Sequence, residues 1–255
     1  MPDYLYRYIS FEAFVDLIQK QALTFVLPEL WEDPKESTPF FQFLKQKENI
    51  FEIAMFYAIH QKTYGQCWSR LAESDAMWRI YSFNQHAVQI KVSTEKLSLL
   101  PDVQIVPVKY MDNFIIDASK GMESFLESLA IKRTPFQHEE EVRLIRHYKF
   151  SGEKDLQDHI KSMLVFFNHP QKMEVIDSLF PDLPLEEKVK ELVRILNEGE
   201  LKEKTLEIPF NHISGFIEGV KVHPLAPSWY VDVVKKYCEN NSLPFDGQST
   251  LYLDE

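Results

Sequence analysis

Residues 138–145 read HEEEVRLI, three adjacent carboxylates running into an apolar segment that also holds Arg143. Taken as a strand, the segment places Glu139, Glu141 and Arg143 on one face and Glu140, Val142 and Leu144 on the other. Two carboxylates separated by one residue at a strand start can point into a common cleft. There one hydrogen-bonds a substrate hydroxyl while the other orients a nucleophile or stabilises a cationic transition state. Their mutual repulsion would raise the pKa of one of them. The competing reading is a solvated acidic strand edge that resists aggregation.

Three further stretches carry side chains of the right type. In YLYRYIS, Arg7 stands in an otherwise aromatic strand, sharing a face with Leu5 and Ile9. A guanidinium among apolar neighbours needs an anionic partner, either a phosphate or a carboxylate such as Glu139 or Glu141. A structural ion pair or an edge position with its head in water would serve equally. In CWSRLAESDAMWRIY, Ser69 can hydrogen-bond a nucleotide ribose or nicotinamide, and Trp78 or Tyr81 can stack on a planar ring. Core packing competes for these aromatics, and Met77 is expected in the core. LWEDPKESTP supplies Glu32, Asp33 and Glu36, which together with Glu139 and Glu141 would offer oxygen ligands to Mg²⁺ or Mn²⁺ for hydrolytic or nuclease chemistry. No motif sets their geometry, so no metal is expected, and an exposed acidic turn is the commoner use of such a loop. Cys67 beside Trp68 reads as a buried thiol, and neither an HExxH pair nor a GxSxG elbow is present.

These side chains must be positioned by elements that the sequence also outlines. Ser10 is placed to cap a helix over FEAFVDLIQKQ, where Phe11, Phe14, Leu17 and Ile18 share a face. ALTFVLP is extended, and the two prolines of WEDPKESTP make a loop. Residues 40–64 follow a helical pattern and GQCWS an extended one. Helical spacing returns in ESDAMWRIYS and again over residues 119–130. AVQIKVS, VQIVPVKY and EVRLIRHYKF alternate as strands. Residues 153–205 turn amphipathic and highly charged, which predicts a helical insertion or lid. β character resumes at TLEIPFNHISGFIEGVKVHP, and a last helix, SWYVDVVKKYCENN, turns Val231, Val234 and Cys238 inward before a polar tail. The sum is a single α+β domain over 1–255 with 153–205 inserted.

Composition narrows the function classes. The 255 residues are 45% hydrophobic and 26% charged, ordinary for a globular chain long enough to bury a sizeable core. Gly numbers only 7, and neither GxGxxG nor GxxxxGK[ST] occurs, which removes the usual glycine-loop nucleotide binders. A net charge of −11 opposes general nucleic-acid binding and favours a small molecule or a protein partner. Two cysteines, no CxxC and no secretory pattern in MPDYLYRYIS lead to the expectation of a cytoplasmic protein with free thiols. No apolar run approaches the roughly 20 residues of a membrane span.

The order of the motifs adds to this. LYRYIS, LPELWEDPKE, CWS, DAMWRIYS, VPVKY, FQHEEEVRLI and GFIEGVKVHP together resemble the bacterial domain-of-unknown-function family 2971, over most of residues 4–240. Arg7 on a first strand, Ser69 on a later one and Glu139-x-Glu141 on another are also similar to the R-S-E arrangement of ADP-ribosyltransferases, although CWS stands where those enzymes have S-T-S. That resemblance implies an ADP-ribosyltransferase-like mixed or antiparallel sheet core with flanking helices and NAD as co-substrate. It implies Arg7 on the NAD phosphates, Ser69 at the nicotinamide ribose, Glu141 at an oxocarbenium-like transition state and Glu139 facing a protein or nucleic-acid acceptor. A toxin or phage-defence effector, or an NAD glycohydrolase, would fit. The alternatives are a non-enzymatic ligand- or partner-binding module and the metal-dependent hydrolase or nuclease above.

Overall fold

In the computed structural model the described residues are 3–31, 33, 35–47, 56, 59–60, 62–82, 84–147 and 203–252. The expected helical insertion falls outside them except for its last three residues, as do Glu32, Pro34 and most of the stretch from 48 to 61.

The chain opens with strand β1 (Tyr4–Ser10) and helix α1 (Phe11–Lys20). Ser10 makes the switch, its hydroxyl accepting from the Ala13 N–H at 3.2 Å. Phe14 and Leu17 bury the inner helical face, and Gln21 ends the helix in a left-handed conformation. Then follow β2 (Ala22–Val26), α2 (Thr38–Lys45), β3 (Tyr64–Ser69), α3 (Asp75–Tyr81), β4 (Ala87–Ser93) and α4 (Thr94–Ser98). The short strands β5 (Gln104–Pro107) and β6 (Lys109–Tyr110) precede α5 (Met122–Ser128), β7 (Ile131–Lys132) and β8 (Glu141–Arg146). The last elements are β9 (Thr205–Pro209), β10 (Gly219–Val222), α6 (Ser228–Asn240) and β11 (Phe245–Gln248).

Among the described residues nine strands make one sheet, ordered β11-β10-β4-β1-β3-β2-β9 with β8 and β5 branching from β3. Its pairings are antiparallel except β10 with β11. The fold is therefore α+β with a mostly antiparallel sheet. The tail expected to be merely polar instead supplies β11, because Phe245 packs against the main core and lets the segment pair as an edge strand. No described helix is long and apolar enough to cross a membrane.

Helices cover both sheet faces. On one, Leu5, Ile9, Val88, Ile90, Val142, Leu144 and Val222 pack with Phe14, Tyr230, Val234 and Cys238 of α1 and α6. On the other, Ile145 packs with Phe40, Phe43, Phe125 and Leu129 around α2 and α5. Strand β8, interior to the sheet and covered on both sides, is buried from Glu141 to Ile145. That placement forces two charged side chains, Glu141 and Arg143, into the core.

The feature that makes a site is a split beside β3. One edge of β3 is laddered to β8 along its whole length, from Tyr64↔Arg146 to Ser69↔Glu141. Its other edge meets β1 only at Tyr6↔Ser69 and β2 only at Val26↔Gly65. Between those two pairings β1 and β2 part, bridged by α1, and the edge of Gln66, Cys67 and Trp68 is left open to a cavity.

Candidate functional site

The cavity at the split measures about 330 Å³, inside the range of small-molecule sites. Arg7, Ser69, Tyr81, Glu139 and Glu141 all line it, together with Tyr6, Trp31 and Cys67. Strand alternation alone would separate them: Ser69 is paired with Tyr6 and with Glu141, so these three share a face and Arg7, next to Tyr6, belongs to the other. The split removes that distinction, since a cavity entering between two diverging strands meets side chains from both faces.

Five of the six residues singled out from the sequence thus come together, and Trp78 does not. Trp78 is fully buried on the far side of α3, edge-on to Tyr8 at 4.8 Å and to His223 at 5.5 Å, with its indole N–H on Glu73 Oε2. Of the two aromatics expected to offer a planar ring a stacking surface, only Tyr81 reaches the cavity.

Glu139 arrives by a different route from the one its spacing implied. Residues Thr134–Glu139 form a 3-10 helix rather than the start of the strand, and Glu140 follows in a left-handed conformation with φ 41°. That turn, not strand alternation, sets Glu139 beside Glu141. Ser69 secures it: the hydroxyl donates to the Glu139 carbonyl at 2.6 Å and accepts from the Leu71 N–H at 3.0 Å. The single hydroxyl hydrogen of Ser69 is thereby spent, leaving one lone pair for any ligand.

Glu141 is the hub of a buried charge network. Arg143, fully buried, donates through Nε to Glu141 Oε1 at 2.8 Å, through one terminal nitrogen to Glu36 Oε2 at 2.5 Å and through the other to the Leu129 carbonyl at 2.7 Å. The Lys132 ammonium lies 2.6 Å from Glu139, 3.0 Å from Glu141 and 3.4 Å from Glu36. Asp33 completes the loop's attachment with two hydrogen bonds of 2.9 Å from Arg133. The segment expected to be an exposed acidic turn is therefore buried at Asp33 and Glu36, because Arg133, just after β7, meets the first and Lys132 and Arg143 of β7 and β8 meet the second. Among the described residues no group of His, Cys, Asp or Glu is arranged to ligate a metal ion. Between Glu36, Glu139 and Glu141 stands the Lys132 ammonium.

The network drives its carboxyl groups apart. Burial works against the charged form of Glu141, but Arg143 and Lys132 overcome it and hold the group at about 2. Glu139 moves the other way: burial raises it, Lys132 opposes the rise and Glu141 adds to it. Burial likewise raises Glu36 against the pull of Arg143 and Lys132. Burial and the neighbouring Glu141 push the Cys67 thiol well up, so it is a neutral wall group rather than a nucleophile.

Arg7 stands apart from this network. It was expected to meet a phosphate or one of the two glutamates, yet Lys132 and Arg143 have taken those carboxylates. The Arg7 side chain, half-buried, has no hydrogen bond or ion pair among the described residues. Burial pulls its guanidinium down from the ordinary value, with Cys67 and Tyr81 opposing. A guanidinium stays charged in a protein, so the cavity wall carries an unneutralised cation.

Trp31 forms the remaining wall, and the sequence reading passed over it, as it did Lys132 and Arg133. The Arg143 guanidinium carbon lies 3.9 Å from the centre of the Trp31 ring. Gly65 permits that approach: a Cβ added there would fall 2.6 Å from Trp31 Cζ2. Gly65→Ala is expected to displace the ring from Arg143 and cost about 1–3 kcal/mol, read as a lower urea midpoint with altered tryptophan fluorescence.

Comparison of the chain with protein-family models, with curated proteins and with solved structures finds no match.

Proposed function

We propose that the chain is an ADP-ribosyltransferase-like enzyme that binds NAD in the split beside β3 and cleaves its bond to nicotinamide. The observation that carries this reading is the unpartnered Arg7 guanidinium in the same cavity as two glutamates of opposite acidity. The stretches LYRYIS, LPELWEDPKE, CWS, DAMWRIYS and FQHEEEVRLI, far apart in the chain, each contribute to this cavity, and that supports the same reading. The split suits the pyrophosphate on Arg7 and the nicotinamide ribose deeper in, with Tyr6, Tyr81 and Trp31 as aromatic walls.

The division of labour follows from the carboxyl groups. Bound NAD supplies a leaving group, nicotinamide, which departs with the electron pair of its bond to ribose C1′. Glu141, ionised at any working pH, presents a fixed negative charge to the positive charge developing on the ribose. Glu139, raised from its ordinary value, accepts the proton of the incoming nucleophile, either an acceptor group or water. The nucleophile's lone pair forms the new C1′ bond.

Incubation with NAD labelled in either half, with and without cell lysate, tests the reading. Nicotinamide release is expected, with the ADP-ribose label either transferred to macromolecules or released as free ADP-ribose. Arg7→Ala is expected to weaken NAD binding about 10–100-fold, the worth of hydrogen bonds to a charged group, measured by calorimetry.

One observation favours a second reading, a ligand-binding module without turnover: both Glu141 oxygens are engaged by Lys132 and Arg143. In that case Arg7→Ala still weakens an anionic ligand, while no nicotinamide appears with the wild-type chain.

A further inference from the structure

Lys132 occupies the two-residue strand β7, held parallel to β6 by the pairs Lys109↔Ile131 and Tyr110↔Lys132. Its side chain is only 9% exposed, and its ammonium also lies 4.8 Å from the Phe136 ring centre. The hydrogen bond to Glu139 Oε2, at 2.6 Å, is the shorter of its two to the E-x-E pair. Glu139 Oε1 has no hydrogen-bond partner among the described residues, and the residue lines the cavity.

Resting on the reading of Glu139 as the proton acceptor, we infer that Lys132 is a positioning residue: its ammonium clamps one oxygen of Glu139 beside Glu141 and leaves the other available to the cavity. The physical case is one of repulsion. Glu139 and Glu141 are brought together by the turn at Glu140, and a half-buried and a buried carboxylate so placed cannot both stay charged without a cation between them. Arg143 is committed to Glu141 and Glu36, so it does not serve Glu139. Around Glu139 stand Lys132 from β7, Glu141 from β8, Tyr110 from β6 and its own neighbour His138, with Glu36 one contact further through Lys132 and with Arg7, Cys67 and Tyr81 on the walls of the shared cavity. Of these, Lys132 is the cation in hydrogen-bond contact with it.

Removing the ammonium should let Glu139 keep its proton to higher pH. The test reads this directly, by ¹³C NMR of side-chain carboxyl groups in the full chain, with the Glu139 signal assigned through Glu139→Gln. Lys132→Met is expected to raise the Glu139 midpoint by about 1–3 pH units, the usual effect of losing an opposite charge at contact distance, and Lys132→Arg to keep it near wild type. The pH profile of nicotinamide release should move alkaline by a similar amount in the methionine variant alone. Lys132→Gln gives the same readout if the methionine variant does not fold. An unchanged Glu139 midpoint in a folded, charge-free variant overturns the inference. Failure of the NAD reading looks different: no nicotinamide is released by the wild type at any pH, while the midpoint still shifts.

Discussion

Replacing Arg143 by methionine is expected to cost about 3–5 kcal/mol, a large share of the roughly 5–15 kcal/mol that holds a domain folded. The reason lies in the charge count. Glu36, Glu139 and Glu141 share two cations, Lys132 and Arg143, and Arg143 is fully buried. Without it three carboxylates face one ammonium in a space closed by Trp31 and by the α2–α5 face, and the Leu129 carbonyl loses its donor. Urea unfolding at neutral pH measures the loss, and Arg143→Met combined with Glu141→Gln should recover part of it.

The deficit also has a pH signature. In the wild type Glu141 is lowered from its ordinary 4.5 to about 2, so its contribution is complete above about 4.5 and drains as pH falls towards 2. The variant's Glu141, lacking Arg143, takes up its proton at higher pH. Through that window the folded variant binds more protons than the folded wild type, so the stability gap narrows as pH falls. A gap that stays constant from neutral pH to pH 2 would assign the loss to packing instead.

Glu141→Gln is expected to lower nicotinamide release about 100–1,000-fold, the magnitude typical of deleting one preorganised electrostatic contact to a transition state. NAD affinity should fall far less, because the negative charge matters where positive charge develops on the ribose and little in the ground state. By the same charge count this variant is expected to stay folded, with a smaller loss than Arg143→Met. Losing one of three carboxylates leaves two against two cations, whereas losing Arg143 leaves three against one. Comparable losses in kcat and in unfolding free energy would point to structural damage, and a loss confined to kcat supports the catalytic assignment.

Much of the scaffold was readable in the residue pattern. Ser10 before an amphipathic run marks a capped helix, and alternation in AVQIKVS and EVRLI marks β4 and β8, because both signals repeat within a few residues. The HEEE run was harder. Glu139 and Glu141 were assigned to one strand face by period two, yet a 3-10 helix runs from Thr134 through Glu139, and Glu140 turns left-handed. The pair still meets, for a local reason that alternation does not contain.

Residue chemistry therefore nominated Arg7, Ser69, Tyr81, Glu139 and Glu141 without showing that one cavity would hold them. Their meeting depends on β1 and β2 touching β3 at one residue each, a divergence that no strand's own pattern contains. The partners of the E-x-E pair were equally hidden. The Arg143–Glu36 contact joins residues 107 positions apart, and Lys132 sits in a strand too short to leave a periodic trace. Periodicity reports which way a side chain faces along its own element, so it put Glu141 and Arg143 on one face of β8 and went no further. Which cation neutralises which acid, and which cation is left over for a ligand, is a property of elements that meet only in the folded chain.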